Sequence, residues 1–494
     1  MTSPPTQSSF LATGRGRLTL LLLASIGFMD FIDASIVNIA LPHIRDDLDF
    51  SVQDLQWVLS AYLLTYGGFM LLGGRAGDLI GRRRVLVTGT VIFGLASFAG
   101  GFADSPSVLV GARLVQGLGA ALMMPTALSL LTTSFSSGSD RTKALGVWGG
   151  VAGLASAAGV FLGGVLTEGP GWRWVLYVNP PISALLLIGI YALVPGESRR
   201  ASWRDLDLPG SVLVTGGMVL LVLGLIKAPE QGWGSGRTVF ELAGAAVLLC
   251  AFVVVELRTA RPLIPMSALR IPGLAAANLT QLIGVGGFVT MFFFLTLYMQ
   301  NVLGYSALET GASYLPLTFG VGVSAGVGTA LISKIGTRPV IVGGALITAA
   351  GLFYLAQIPV DGSYLSDLLP GLMIVSLGIG GVFVGATTAA NAGVPERLAG
   401  LAAALVNSSQ QVGGALGLAI FSAIATARTN DLLGGRGGVP QAMTSGFQRA
   451  LTAAAIFLVA AALIATRAKN NWGEQPTQDE TAAHAGEPAG VPSL

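Results

Sequence analysis

The feature that most constrains this chain is its series of apolar runs, fourteen of which are long enough to cross a lipid bilayer. A transmembrane helix needs about 20 consecutive apolar residues. Only 11% of the residues are charged, against about 25% in soluble domains. The sequence therefore predicts an all-α polytopic membrane protein. We place the spans near residues 18–40, 55–76, 85–103, 107–131, 143–166, 174–194, 208–226, 239–257, 273–299, 311–332, 339–358, 368–391, 398–425 and 447–466.

The distribution of basic residues predicts how the chain is oriented. Nineteen of the 27 Lys and Arg residues fall in one set of alternate loops, and loops with such an excess stay in the cytoplasm. We therefore expect residues 1–17 and the polar tail 469–494 to be cytoplasmic, the tail to be disordered, and the protein to lie in the inner (cytoplasmic) membrane. The formal net charge of +2 gives no reason to expect a nucleic-acid partner.

Residues that could carry cofactor or metal chemistry are scarce. Cys250 is the only cysteine, and His43 and His484 lie far apart in the sequence. A multi-cysteine or paired-histidine metal site is therefore not expected. None of the four lysines lies in a phosphate-binding P-loop. We expect no metal, no cofactor and no ATP hydrolysis.

The chain contains an internal repeat with an offset of 255 residues. Residues 50–54 align with 305–309, and the Gly-x-Arg turn at 81–83 aligns without a gap with the turn at 336–338. The alternative, chance similarity among Gly-rich apolar helices, does not explain turn residues that match at both ends of a span. The repeat predicts two parallel halves of six spans each, as in many transporters. These are residues 18–195 and 272–468, with two inserted spans between them at 207–258.

The loop after the second span carries a specific motif. Residues 74–84 read Gly-Arg-Ala-Gly-Asp-Leu-Ile-Gly-Arg-Arg-Arg, which resembles the loop signature of the major facilitator superfamily. This resemblance implies the major facilitator fold, with two six-helix bundles plus two inserted transmembrane helices. A basic loop that only sets the topology would explain the arginines but not the aspartate or the glycines. We assign conformational gating to Gly74, Asp78, Gly81, Arg82 and Arg83.

An arginine lies inside the fourth predicted span. Residues 109–121 place Arg113 three residues before a Gln-Gly step, similar to a second signature of the superfamily. A buried guanidinium needs a buried acceptor, and the first span offers Asp30 and Asp33 on one helix face. Residues 33–42 resemble the first-span signature of the fourteen-span drug:proton antiporters of this superfamily.

The fifth predicted span carries a third motif, which resembles the antiporter signature of that span. Its small-residue face includes Gly159, Gly163 and Gly164, which we add to the gating residues. Val160 replaces the usual proline of the signature and removes a kink at the point where the family is thought to bend. Taken together, the resemblance extends over residues 18–466.

The resemblance implies a secondary active transporter that exports lipophilic, cationic drugs or antibiotics in exchange for protons by alternating access. We expect Asp33, Asp30 and Arg113 to couple protons to transport in a water-accessible chamber between the two halves, since burial and a nearby cation act on a carboxylate in opposite directions. In this hypothesis Asp33, assisted by Asp30, binds either a proton or a cationic substrate. Alternatively, one carboxylate is only the structural partner of Arg113. The expected partners are a small-molecule substrate, protons and the lipid bilayer, with the protein acting as a monomer.

Substrate contacts are expected from aromatic and amide residues predicted near mid-membrane, because apolar walls with a few polar groups suit bulky amphipathic molecules. For any one of them, anchoring in lipid or hydrogen bonding between helices is the alternative. Glu241 and Glu256, in or beside the inserted spans, are assigned structural or interfacial roles. The substrate-contact candidates are Asn38, Trp57, Tyr62, Gln281, Phe288, Phe292, Tyr298, Asn407 and Gln411.

Two other functions compete with drug export. The same fold also supports proton-coupled import of small organic solutes. A polytopic membrane enzyme, the alternative of another class, should carry a cluster of acids, histidines or metal ligands on a loop. The short loops of this sequence show no such cluster, which favours a transporter.

Overall fold

The computed structural model describes residue 11 and residues 13–135, 138–196, 207–259, 262–264, 271, 273–392, 394, 399–433 and 438–472. Most of the predicted tail and residues 1–10 of the N-terminal segment lie outside the described residues. Within the described part of the chain, fourteen spans are long and apolar enough to cross a membrane. The predicted all-α polytopic membrane fold is therefore confirmed.

Sixteen helices make up these spans in the described residues, because two spans are each divided into a short and a long helix. A 3-10 turn at Asp54–Gln56 precedes the second span, and a π turn at Tyr364–Leu368 precedes the twelfth. The helices are α1 (Gly14–Leu48), α2 (Trp57–Ile80), α3 (Arg82–Gly101), α4 (Pro106–Ser134), α5 (Gly138–Glu168), α6 (Trp174–Tyr177), α7 (Asn179–Leu193), α8 (Leu208–Gln231), α9 (Gly236–Arg258), α10 (Leu274–Asn301), α11 (Ala307–Ser313), α12 (Leu315–Ile335), α13 (Thr337–Leu355), α14 (Leu369–Asn391), α15 (Ala399–Leu432) and α16 (Gly438–Ala465).

Some helices continue past the apolar runs from which they were predicted. The first span was predicted over residues 18–40, whereas α1 continues through Pro42 to Leu48. Its last turns carry Arg45 and Asp46, whose side chains pair at 2.7 Å. Hydropathy marks only the part of a helix that suits lipid, while backbone hydrogen bonds extend the helix further.

The helices α1 to α7 pack on one another, and α10 to α16 do the same. Helices α8 and α9 form a hairpin, and α8 contacts both α2 and α15. Val222 and Ile226 of α8 share an apolar cluster with Leu64 of α2 and with Ala415 and Ala419 of α15. The inserted hairpin thus covers the line along which α2 and α15 meet.

The two halves meet tightly on one side of the bundle, which we call the outer side because the predicted orientation places it outside the cell. Thr296 donates a hydrogen bond to Asn38 Oδ1 at 2.8 Å, and Gln300 Nε2 donates to the Ile39 carbonyl at 3.0 Å. Gly311 of α11 lies so close to the Val160 carbonyl of α5 that a Cβ would overlap it. A buried apolar cluster joins residues of both halves at this side.

On the opposite, inner side the same helices part. A Cβ added at Gly146, Gly149 or Gly150 of α5 would meet no heavy atom within 4 Å, and the same holds for Gly322 and Gly326 of α12. Two apolar clusters near the inner ends draw their buried residues from one half each, and in the described residues these clusters connect the halves only where Leu71 of α2 packs against the second of them. The bundle is therefore closed on the outer side and parted on the inner side.

Candidate transport site

Helices α1 and α4 bring an ion pair together inside the first half. Arg113 Nη1 donates to Asp33 Oδ2 at 2.7 Å, and the two side chains are 1% and 0% exposed. Arg113 Nε donates to the Val58 carbonyl at 3.0 Å, and Nη1 also donates to Gln116 Oε1 at 2.7 Å. The guanidinium carbon lies 4.3 Å from the centroid of the Tyr62 ring. The buried cation is thus offset by a carboxylate, neutral oxygens and an aromatic face.

The other oxygen of Asp33 is also fully used. Its Oδ1 accepts hydrogen bonds from Gln116 Nε2 at 2.8 Å and from Asn179 Nδ2 at 2.7 Å. Asn179 in turn donates to Ser97 Oγ at 3.0 Å. These partners lie on α4, α7 and α3, so the Asp33 carboxylate connects α1 to three other helices of the first half. Hydrogen bonds to a charged group are stronger than those between neutral groups.

A glycine sets the close approach that this network needs. A Cβ at Gly117 would overlap the Tyr62 carbonyl and the Thr65 hydroxyl of α2. Thr65 Oγ1 donates to the Leu114 carbonyl of α4 at 2.8 Å. The Gln-Gly step therefore packs α4 directly on α2, and this contact places Arg113 over the Tyr62 ring.

Asp30, three residues before Asp33, has different partners. The Tyr62 hydroxyl donates to Asp30 Oδ1 at 2.6 Å, and the Tyr66 hydroxyl donates to Oδ2 at 3.1 Å. Asp30 is 3% exposed, and the two tyrosine rings meet edge to face with centroids 5.5 Å apart. Among the described residues, no basic nitrogen lies within 4.0 Å of its carboxylate. Asp30 is held by neutral hydroxyl groups.

The structure brings Asp30, Asp33 and Arg113 together as predicted residues of one site, while their part in proton coupling stays a prediction. The expected water-accessible chamber at the ion pair is wrong for this conformation, because Asp33 and Arg113 are buried. The side chains of Gln116, Asn179 and Tyr62 occupy the space around the pair and leave no room for water contact with it.

Four residues of the site were not among the predicted ones. Gln116 lies within the quoted motif of the fourth span, and Tyr66 lies one helical turn after Tyr62 on the same face of α2. Asn179 stands directly before two prolines at the start of α7, an unusual place for a fully buried amide. Ser97 gives no signal of its own, because a serine in an apolar helix usually bonds to its own backbone.

The aromatic candidates of α10 differ in where they lie. Phe288 and Phe292 are half-buried, and their ring centroids lie 5.0 Å apart. Phe288 also meets the ring of Phe383 on α14 at 5.8 Å, and Phe292 meets Tyr314 at 4.5 Å. These rings form a continuous, partly exposed aromatic surface in the second half.

Trp57 and Tyr298 do not lie near mid-membrane, where they were predicted. Trp57 is the first residue of α2, and Tyr298 lies in the last turn of α10. The Tyr298 hydroxyl donates to the Pro359 carbonyl at 2.5 Å, and its side chain is fully buried. Hydropathy places a residue within a span but does not fix its depth, because the helix ends are uncertain by several residues.

The amide candidates mostly bond to nearby helices or to their own. Asn38 accepts from Thr296 between α1 and α10, and Asn407 Nδ2 donates to the carbonyl one turn earlier on α15 at 2.9 Å. The Cβ of Gln411 packs against Gly67 of α2. Gln281 is fully buried, and within the described residues neither polar atom of its side chain has a hydrogen-bond partner.

The predicted gating loop forms the turn between α2 and α3. Gly81 adopts a φ of 117°, a conformation that favours glycine. Asp78 Oδ1 accepts from Arg82 Nη2 at 3.1 Å, and Arg82 Nη1 donates to Thr133 Oγ1 of α4 at 3.2 Å. Gly74 lies 3.6 Å, measured from an added Cβ, from the Pro125 side chain of α4.

Arg83 connects the same turn to α7. Its guanidinium donates to the Tyr191 carbonyl at 3.3 Å and lies 4.7 Å from the centroid of the Tyr191 ring. A cavity of about 690 Å³ opens beside this contact, lined in part by Gly81, Arg83 and Arg84. These contacts tie the loop to other helices of the first half.

The three predicted gating glycines of α5 face two different neighbours. A Cβ at Gly159 would overlap the Ser35 hydroxyl of α1, and one at Gly163 would lie 2.8 Å from the Ile36 carbonyl. Gly164 instead faces Leu308 of α11, with a Cβ position 2.7 Å from its Cα. Gly159 and Gly163 therefore pack α5 against α1 within the first half, whereas Gly164 packs it against α11 of the second half.

Within the described residues, fourteen apolar spans form two bundles that meet on the outer side and along α2 and α15, with a buried charge network between helices. This is the architecture of a membrane transport protein. Residues 23–418 match the family model described as the Major Facilitator Superfamily, and the chain belongs to this family.

Two similar relatives are named for drug resistance and for export. The chain is 40% identical to the puromycin resistance protein pur8 of Streptomyces alboniger, over 90% of this chain and 89% of that protein. It is 38% identical to the cephamycin export protein CmcT of Amycolatopsis lactamdurans, over 92% of each chain. The sequence-based assignment to the drug-efflux relatives of this superfamily is confirmed.

Solved structures agree on the fold. A bacterial homologue of the human lysosomal transporter Spinster superposes with a TM-score of 0.65 at 16% identity and covers 94% of this chain and 100% of that chain. A POT family peptide transporter gives a TM-score of 0.67 at 15% identity, covering 93% and 99%. At these identities the likeness concerns the fold alone.

Proposed function

We propose that this protein exports a lipophilic, cationic drug or antibiotic across the cytoplasmic membrane in exchange for protons, by alternating access of its two halves. The relatives named for puromycin resistance and cephamycin export support efflux as the direction of transport. In this proposal the proton gradient is the energy source, no cofactor takes part, and the protein acts as a monomer. Both termini lie in the cytoplasm.

The different hydrogen-bond partners of Asp30 and Asp33 indicate which of the two carboxylates exchanges the transported proton. Protonation of Asp33 would neutralise a carboxylate that pairs with buried Arg113 and accepts two further hydrogen bonds from amides, and so would weaken all three contacts. Asp30 accepts only from the Tyr62 and Tyr66 hydroxyls, which can rotate to suit either form of the carboxyl group. We therefore assign the transported proton to Asp30, and to the Asp33–Arg113 pair the task of fixing α1 against α4.

The surroundings of Asp30 suit a cationic, lipophilic cargo. A carboxylate attracts a cation, and tyrosine rings add a favourable face for positive charge. The partly exposed rings of Phe288 and Phe292 on the second half supply apolar contact area. A site with these components binds either a proton or a cationic substrate at the same carboxylate, which is the requirement for exchange.

The arrangement of the halves supports alternating access. Contacts between α1 and α10 and between α5 and α11 close the outer side, while the glycines of α5 and α12 face open space on the inner side. This is the form expected of an inward-facing state. Rocking of one half against the other would open the outer side in the next state.

Transport in inverted membrane vesicles tests the proposal, with puromycin as the first compound. We expect the wild-type protein to accumulate puromycin in vesicles with an acidic lumen. The Asp30→Asn variant should lose this accumulation and also the exchange of labelled for unlabelled compound, because the missing carboxylate binds both the proton and the cation. The matched control is Asp104→Asn, an exposed carboxylate between α3 and α4. Accumulation at the wild-type rate by Asp30→Asn would contradict the proton assignment, and accumulation only in right-side-out vesicles would favour the importer.

A further inference from the structure

The inner end of the inserted hairpin holds two buried carboxylates that belong to neither half. Asp207 is the N-cap of α8, and its Oδ1 accepts from the Gly210 amide at 2.9 Å. Glu256 lies in the last turn of α9, and its Oε2 accepts from the Ile264 amide at 3.0 Å. The two side chains are 5% and 3% exposed.

The remaining oxygens of the two carboxylates face each other. Asp207 Oδ2 and Glu256 Oε1 are buried, and neither has a hydrogen-bond partner among the described residues. Both lie 2.8 Å from the position that a Cβ on Gly210 would take. The two unpartnered oxygens are therefore separated by at most twice this distance beside the first turn of α8, where the absence of a side chain on Gly210 leaves room for them.

Two ionised carboxylates in this arrangement would repel each other, and a buried polar atom without a partner is costly. One proton between the two oxygens removes the repulsion and provides the missing hydrogen bond for both groups. Among the described residues, the other charged side chains at the inner ends of the helices packed here are Arg258 on α9 and Arg75 and Asp78 on α2. None of them forms an ion pair with Asp207 or Glu256 in the described chain.

We propose that Asp207 and Glu256 form a second proton-binding site, in which one proton shared by the two carboxyl groups holds residues 262–264 of the loop after α9 to the inner end of the hairpin. The loop is anchored to the first half from its other side. Arg75 Nη1 donates to the Pro262 carbonyl at 3.0 Å, and Leu263, 6% exposed, packs with Leu72 and Val85.

Loss of this proton at alkaline cytoplasmic pH leaves two facing charges. The carboxylates then separate, the Ile264 amide loses its acceptor, and the loop detaches from α2 and α3. The site thus makes the attachment of the inserted hairpin to the first half sensitive to pH. It does not depend on the identity of the cargo or on the role of Asp30.

Thermal denaturation of the full-length protein in lipid nanodiscs, from about pH 6 to about pH 8.5, tests the site. The folded chain binds one more proton than two separated carboxylates do, so its stability should fall as pH rises. We expect a fall in Tm of about 2 °C for each pH unit in the wild type while the folded chain keeps the shared proton, and no further fall once that proton is lost. In Glu256→Gln the amide N–H replaces the shared proton, and this slope should be lost.

The matched control is Glu241→Gln, on the same helix. Glu241 is also buried, but its carboxylate pairs with Arg237 at 3.0 Å, so this variant should keep the wild-type slope. Asp207→Asn should behave as Glu256→Gln does, because asparagine also caps a helix and its amide can donate to Glu256. Failure of both amide variants to fold, when Glu241→Gln folds, would overturn the proposal.

Accessibility of the loop provides a second measurement. A cysteine is introduced by Ile264→Cys in a protein whose native cysteine is removed by Cys250→Ser. Its rate of reaction with a maleimide is measured against pH and corrected for ionisation of the thiol. At alkaline pH this corrected rate should be higher than the rate for the same cysteine in a protein that also carries Glu256→Gln. Equal pH dependence in the two backgrounds would exclude a shared proton. Stabilisation of the wild type by added Mg²⁺ or Ca²⁺, but not of Glu256→Gln, would show that a metal cation occupies the point between the oxygens and would also overturn the proposal.

Discussion

Asp33 and Asp30 lie three residues apart on α1, and the regions around them are built differently. Asp33 accepts from a guanidinium and two amides contributed by α4 and α7. Asp30 accepts from two tyrosine hydroxyls of α2. Both are almost completely buried, so the difference is in the partners and not in the depth. A buried acid can hold a helix bundle together or exchange a proton, and the charge of its partners decides which.

The largest expected effect comes from removing Asp33, the acid whose partners include the charged Arg113. Asp33→Leu leaves Arg113 as an unpaired buried cation, which should lower the free energy of unfolding by about 3–5 kcal/mol. Chemical denaturation of the purified protein measures the loss. The double variant Asp33→Leu, Arg113→Met should recover most of it, since no charge is then left unpaired; a double variant no more stable than the single one would contradict the account of this region.

The next test weakens the same region without removing a charge. Asn179→Ala takes one hydrogen bond from Asp33 and should cost about 1.5–3 kcal/mol, as expected for a bond to a charged group. Ser183→Ala, a buried position one turn further along α7, is the control and should cost less, because its hydroxyl contacts only the Met29 sulfur.

In the neutral region, Asp30→Asn should change the free energy of unfolding by about 1 kcal/mol or less, because an amide can still accept from one tyrosine and donate to the other. Its effect on transport should be large, since asparagine imitates the protonated acid at every pH. Puromycin exchange in reconstituted vesicles should therefore be lost at every pH in this variant, whereas the wild type should lose it only as the pH falls. A stability loss as great as that of Asp33→Leu would remove the distinction between the regions.

The smallest expected effects come from the tyrosine hydroxyls. Tyr62→Phe should cost about 1 kcal/mol and Tyr66→Phe about 0.5 kcal/mol, in line with their hydrogen-bond lengths of 2.6 Å and 3.1 Å. Both variants keep the rings, so the contact of Arg113 with Tyr62 is unchanged. Thermal denaturation of both variants against the wild type measures the difference, and a reversed order would show that bond length does not rank these contacts.

Much of this site could be predicted from the sequence. An arginine in an apolar span must find an acid, and Asp30 and Asp33 were the acids available in the first span, so the helices that meet were predictable. The sequence could not predict which of the two acids pairs with Arg113, because Asp30 and Asp33 share one helix face and only the rotation of α1 against α4 distinguishes them. Gln116 and Asn179 escaped prediction because an amide gives no sign in sequence of the helix that it will face.

The sequence by itself determined the number of spans, the superfamily and the positions of the tight turns, because these follow from apolar length and from glycines whose conformation other residues disfavour. Only the tertiary structure decided that Asp33 is enclosed by donors while Asp30 meets neutral hydroxyls, that the outer side is closed, and that Asp207 and Glu256 face each other. These features depend on contacts between helices far apart in the chain, and such contacts are set by side-chain packing that local sequence patterns do not encode.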